Sequence, residues 1–366
     1  MKRTLFSIAL CSLTAMAISV SCIDVPHDVV DYDYTFTLGA YFLNAGNPGE
    51  NDADLTQLNT LYSIVNQHCF AGANNGAKLG DDGSDLLAYG SHLFIALQGS
   101  KKIAVVNKFT CQSETTITVE SDEAQTLSPC HLTAFEGGLL CTFKEGYVAR
   151  IDTVSLKAEV LQEIDAVPGG ICIANQKLYV SCYRPLNIQD GSRGNSVLMF
   201  NPVDLHVMKS IDVNDGPRDL VVDPYTQGVF VLCEGTGEGG SVQHIDSDND
   251  ETKVISGIEK PLFLAAGFEK TVIICCDGRD DLDPKRFIKV DSESLKENGS
   301  FISDGSYIMS PCALFVDSNT SNVYIAENPT HQTGMIYIYT SFGQYITSFN
   351  TAGSNPCAAV FVTSND

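Results

Sequence analysis

The chain of 366 residues carries 45 Asp and Glu against 22 Lys and Arg, a formal net charge of −23. A field of that sign repels nucleic acid and other anionic polymers, and no basic patch is present to bind anionic lipid. Hydrophobic residues make up 44% of the sequence, enough for a large core and too many for a disordered chain.

At the N-terminus, Lys2 and Arg3 precede an apolar stretch from Leu5 to Val20 that is too short and interrupted to span a bilayer. Small residues, Ser19-Val20-Ser21, then stand directly before Cys22. The pattern predicts a lipoprotein signal over residues 1–21, with Cys22 as the lipidated first residue of the mature chain. Residues 22–33, carrying Asp24, Asp28, Asp31 and Asp33, read as an acidic tether. Two basic and no acidic residues leave with the signal, so 20 basic face 45 acidic residues, a mature net charge of −25. Of 13 cysteines, Cys11 leaves and Cys22 takes lipid. Most of the others sit in apolar runs such as Leu139-Leu140-Cys141, where a thiol is a small hydrophobe. The expectation is buried thiols, with one or two disulfides left open.

From residue 34 onward the sequence is periodic. Thr37–Asn44 (TLGAYFLN) and residues 54–61 read as strands, and Gly83-Ser84-Asp85-Leu86 opens a segment that recurs behind six prolines. These are Pro129, Pro168, Pro217, Pro261, Pro311 and Pro356, at intervals of 46 residues from Gly83 and then 39, 49, 44, 50 and 45. Each opening leads into a short apolar strand, a tight turn such as Glu136-Gly137-Gly138, and a second strand such as LYVSC from Leu178. A loop, a third strand such as FIKVD from Phe287 and a more polar fourth strand follow. A four-strand repeat of this length is a propeller blade. The predicted fold is an all-β, seven-bladed β-propeller over residues 34–366. The seventh unit stops at Phe361-Val362, so the N-terminal strands are expected to complete it and close the ring, removing open edges.

In such a blade, the loop between strands two and three shares a face with the connection into the next blade. The long loops all belong to that class: residues 45–53, 183–195, 234–240, 277–286 and 327–334. Long loops gathered on one face of a rigid scaffold are where ligands bind. The candidate ligand-binding residues there are Asn44, Gln98, Lys144, Tyr183, Arg184, Arg218, Glu234, Asp277, Arg279, Glu327 and Asn328. No residue is assigned to catalysis, metal or cofactor. The acidic run from Asp246 lacks the glycine and the closing glutamate of a calcium loop and reads as a solvated turn. No G-x-S-x-G elbow occurs, and no acid–base pair can be placed from the sequence.

The stretch LGAYFLNAGNPGENDADLTQLN from Leu38, with Lys78-Leu79-Gly80-Asp81-Asp82 before the first full blade, resembles the YncE-like propeller lipoproteins of Bacteroidetes. The resemblance spans the mature chain and implies a non-enzymatic protein, lipid-anchored in the outer membrane at the cell surface. It also implies capture of a small molecule, a corrinoid such as vitamin B12, for an outer-membrane transporter. Glycan binding and protein docking would suit the same face; a propeller lyase or hydrolase would need groups the sequence does not pair.

Overall fold

The computed structural model describes residues 35–188, 190–236, 239–278, 284–330 and 332–364. The expected signal sequence and tether, residues 1–33 with Cys22, and the candidate Arg279 lie outside the described residues. From Thr35 onward the chain forms seven four-stranded antiparallel sheets. Their inner strands are Gly83–Tyr89, Pro129–Phe135, Val167–Ala174, Pro217–Val222, Pro261–Phe268, Pro311–Asp317 and Pro356–Thr363. Each packs beside the next, and the last returns to the first, so the ring is closed. Blades are numbered 1 to 7 in that order.

Every inner strand hydrogen-bonds to a partner on one side only, so its other edge faces the central channel. That explains the opening prolines: a residue without an N–H fits the start of an edge strand. Blade 7 joins Pro356–Thr363 to Thr37–Asn44 and Asp54–Asn59, as the periodicity requires, with Phe42 opposite Ala359 and Thr56. Its fourth strand, Ile64–Asn66, was not legible; the third ends at Asn59, whose Oδ1 accepts the Tyr62 N–H and starts the turn.

Apolar layers between neighbouring blades hold the ring together. With no tryptophan available, phenylalanine and tyrosine fill them. Phe42 is fully buried between blades 6 and 7, its ring 5.5 Å from Phe349 in an edge-on contact and 5.8 Å from Tyr324. Burying such a ring contributes about 1.5–3 kcal/mol. The same seam carries a polar clasp. Asp317, 1% exposed at the end of the blade 6 inner strand, accepts hydrogen bonds from Thr37 Oγ1 (2.7 Å), Thr320 Oγ1 (2.6 Å) and the Asn319 N–H (3.1 Å). Asp223 occupies the equivalent place in blade 4 and binds Ser292 Oγ of blade 5 at 2.5 Å. The eleven cysteines of the described residues are free thiols, nine of them buried. Cys69, in the short helix Cys69–Ala73, brings its sulfur within 3.3 Å of Cys111.

Candidate ligand channel and its mouth

The start of each inner strand builds the channel. Pairing with the second strand slips at this point in all seven blades; in blade 1, Gly83 faces Leu97 and Asp85 faces Ala96, so Ser84 is extra. Such a bulge re-aims side chains. Here it lets both residues after the opening line the channel: Ser84 with Asp85, Gly169 with Gly170, Arg218 with Asp219, Cys312 with Ala313, and Cys357 with Ala358. The result is a cavity of about 580 Å³ to which all seven inner strands contribute.

In blades 1, 4, 6 and 7 the first residue after the opening ties its blade to the next. Ser84 Oγ donates to the Pro129 carbonyl (3.1 Å), Cys312 Sγ to that of Pro356 (3.2 Å) and Cys357 Sγ to that of Gly83 (3.4 Å). Arg218 reaches the equivalent carbonyl region of blade 5, donating to Leu262 O, with its guanidinium 5.8 Å from the Phe263 ring. In blade 3 the position is Gly169, where a Cβ would lie 2.5 Å from the Pro217 carbonyl oxygen; only glycine allows that approach.

In blades 1, 2 and 4 the second residue, Asp85, His131 or Asp219, is titratable. Asp85 accepts from the Leu86 N–H (2.8 Å) and, across the blade boundary, from the Leu132 N–H (2.8 Å). Its Oδ2 lies 3.8 Å from His131 Nδ1, an ion-pair contact too long for a direct hydrogen bond. Burial works against charging the His131 ring, but the Asp85 carboxylate, with Asp219 behind it, outweighs that and raises the His131 pKa above 6.5. Burial pushes the Asp219 carboxyl up, against the pull of His131.

At the mouth, Tyr183 OH donates to Glu234 Oε2 at 2.6 Å, and Arg193 Nη2 approaches the same oxygen at 3.2 Å. Two guanidiniums lie by the Tyr183 ring, Arg193 at 5.2 Å and Arg184 at 6.0 Å. Burial, followed by the hydrogen bond to Glu234, raises the phenol pKa and keeps Tyr183 a neutral donor. This corner sets two guanidiniums and an aromatic ring together on an otherwise acidic protein, an arrangement suited to polar acceptors on a flat ligand.

Of the residues named from the sequence, Tyr183 and Arg218 line the channel, and Arg184 and Glu234 complete the corner beside it. Gln98 turns its amide to Cys130 Sγ at 3.2 Å, and Lys144 stands exposed. Asp277 pairs with Lys285, which holds its carboxyl below the usual range. Three others are structural. Asn44 is 1% exposed and spans to Thr56 Oγ1 (3.1 Å), which closes it to a ligand. Glu327 accepts the Met309 and Ser310 N–H groups (both 3.0 Å) and the Tyr337 hydroxyl (2.9 Å). Burial and that bond push the Tyr337 phenol up to about 12. Asn328 Oδ1 accepts the Asn355 N–H at 3.0 Å. The turn from Asp246 is a hairpin, and its Asp250 is held by Lys177 (3.2 Å) and Lys209 (3.1 Å).

Asp85, His131, Asp219 and Arg193 were not anticipated. The signal for the first three was available: they follow the aligned openings by two residues in GSD, PCH and PRD.

No family model matches the chain, and no curated protein matches it. Solved structures do. Hydrazine synthase of Kuenenia stuttgartiensis superposes with a TM-score of 0.59 at 15% identity, covering 75% of this chain and 88% of that one. The WD40 repeats of RRP9 superpose with a TM-score of 0.56 at 11% identity, covering 75% and 82%. Similarity at these identities shows the propeller fold and nothing about chemistry.

Proposed function

We propose that this protein is an exported, lipid-anchored capture protein without catalytic activity, which holds a small molecule at the mouth of its central channel. The observation that carries the reading is the convergence of seven strand edges and their bulged side chains on one cavity of about 580 Å³. That size lies within the range of ligand sites, which is roughly 300–1,000 Å³. The lining mixes apolar surface from Phe263, Leu314 and Phe315 with the polar groups of Arg218, Asp219 and Ser84. A corrinoid, bulky and rimmed with amides, would cover the mouth and dip one edge into the channel, its amides meeting Tyr183, Arg184 and Arg218. Delivery to an outer-membrane transporter, from a cell-surface position set by lipid on Cys22, completes the proposal.

Calorimetric titration with cyanocobalamin, and separately with a glycan panel, tests the ligand. Saturable one-to-one binding of cyanocobalamin that is lost in Arg218→Ala is expected. Binding of a glycan in its place would retain the site and overturn the corrinoid; binding of either that ignores Arg218→Ala would overturn the site. Turnover of the bound compound would instead favour catalysis, for which the proximity of His131 to Asp85 is the supporting observation. Cys22→Ser should move the protein out of the membrane fraction.

A further inference from the structure

The face opposite the channel mouth carries an apolar arc. In five successive blades, 6, 7, 1, 2 and 3, the turn between the third and fourth strands projects an exposed apolar side chain: Phe342, Tyr62, Phe109, Val154 and Val203. Their exposures are high, 73% for Phe342, 72% for Tyr62 and 89% for Val154. The turns are built to hold them outward. Asn107 Oδ1 accepts the Phe109 N–H (3.0 Å) and Asn201 Oδ1 the Val203 N–H (2.9 Å), so each side chain stands off the turn. Blades 4 and 5 place Asp248 and Glu293 in the corresponding turns, which ends the arc. Single exposed hydrophobes are ordinary on any protein. A row in the same turn of successive blades, on one face of so acidic a chain, marks an interaction surface.

The occupant is indicated by where the chain joins the ring. Phe36 and Thr37 stand on this same face, at the start of Thr37–Asn44, with Phe36 itself exposed. Cys22 precedes Thr35 by 13 residues, at most about 45 Å of extended chain. An anchor of that length, leading from this face, brings this face to the lipid by the shortest path. We infer that the apolar arc rests on the surface of the bilayer that holds the anchor, with its aromatic and aliphatic side chains at the headgroup level and the channel mouth turned away. The inference rests on the lipid-anchor reading of Cys22. Residues of this kind favour the membrane–water interface. The acidic net charge selects a zwitterionic rather than an anionic surface.

The absence of tryptophan makes the test clean, since one introduced indole is the only one. The lipidated full chain carrying Phe109→Trp, Phe342→Trp or, on the opposite face, Ile188→Trp is reconstituted into phosphatidylcholine vesicles with brominated acyl chains. Emission from the first two should shift to the blue and be quenched, as expected for side chains at the interface, while Ile188→Trp is unchanged. Vesicle-bound protein with neither Phe109→Trp nor Phe342→Trp quenched would overturn the docking and leave the anchor standing. Quenching at Ile188→Trp alone would reverse the orientation and overturn it too. Protein absent from the vesicle fraction, with Cys22 unmodified by mass, would sink the anchor and the lipid docking together. A blue shift that follows protein concentration without vesicles would assign the arc to a second copy of the chain and refute the lipid surface.

Discussion

A polar clasp joins the N-terminal strand of blade 7 to blade 6, and one atom-scale substitution can open it. Thr37→Val keeps the shape of the side chain and removes the hydroxyl that donates to Asp317 Oδ2 at 2.7 Å. Asp317 is 1% exposed, so no water can replace the lost donor without disturbing the seam. Thr320 Oγ1 and the Asn319 N–H remain, so the carboxylate stays partly satisfied. The Asn319 side-chain amide, which donates to Thr37 Oγ1 at 3.2 Å, also loses its acceptor. A hydrogen bond to a charged group contributes about 1.5–3 kcal/mol. With an unfolding entropy of about 2.1 cal/mol/K per residue over roughly 330 residues, that loss lowers Tm by about 2–4 °C. Ser292→Ala, which opens the equivalent clasp between blades 4 and 5, should cost a similar amount. The two differ in place: only the first holds Thr37–Asn44, the N-terminal strand that pairs with Pro356–Thr363 inside blade 7. Calorimetry paired with hydrogen exchange separates them, since Thr37→Val should accelerate exchange in Thr37–Asn44 and Pro356–Thr363, and Ser292→Ala should not. An unchanged Tm in Thr37→Val, or equal exchange in both variants, would refute the reasoning.

Paired substitution of Tyr183 and Arg184 by Ala should weaken ligand binding at least about tenfold, equivalent to about 1.4 kcal/mol; Val154→Ser on the opposite face should leave affinity unchanged, and equal losses would place the site elsewhere. The raised His131 pKa makes its contribution to stability fully present below 6.5 and lost as pH rises through the folded-state value. The Tm difference between the parent and His131→Asn should therefore shrink from pH 6 towards alkaline pH, measured by fluorimetry against about 6.5 as the unfolded reference; a difference that widens would show that the ring is held neutral. Gly169→Ala forces a Cβ to within 2.5 Å of the Pro217 carbonyl oxygen and should destabilise by about 1–3 kcal/mol, read from the urea midpoint, with no loss expected in Gly90→Ala beyond what its positive φ of 57° accounts for.

The blade count and the ring closure were legible in the sequence because each blade must start its inner strand the same way. A residue at a channel-facing strand edge needs no N–H, so proline recurs there, and a last unit with one strand must find three elsewhere. The face on which the channel opens followed from topology alone, and so did the placing of Tyr183, Arg184, Arg218 and Glu234 at or beside it. The channel chemistry did not. Asp85, His131 and Asp219 lie on different blades, and whether a strand residue faces the channel or the neighbouring blade depends on a bulge visible only in cross-strand register. Asn44 and Glu327 read as loop-face polar groups, yet the fold turns both inward. Glu327 does so because two N–H groups of the loop before blade 6, Met309 and Ser310, have no strand partner and need an acceptor. Which backbone donor is left over is a property of how loops meet in space, and local sequence holds no record of it.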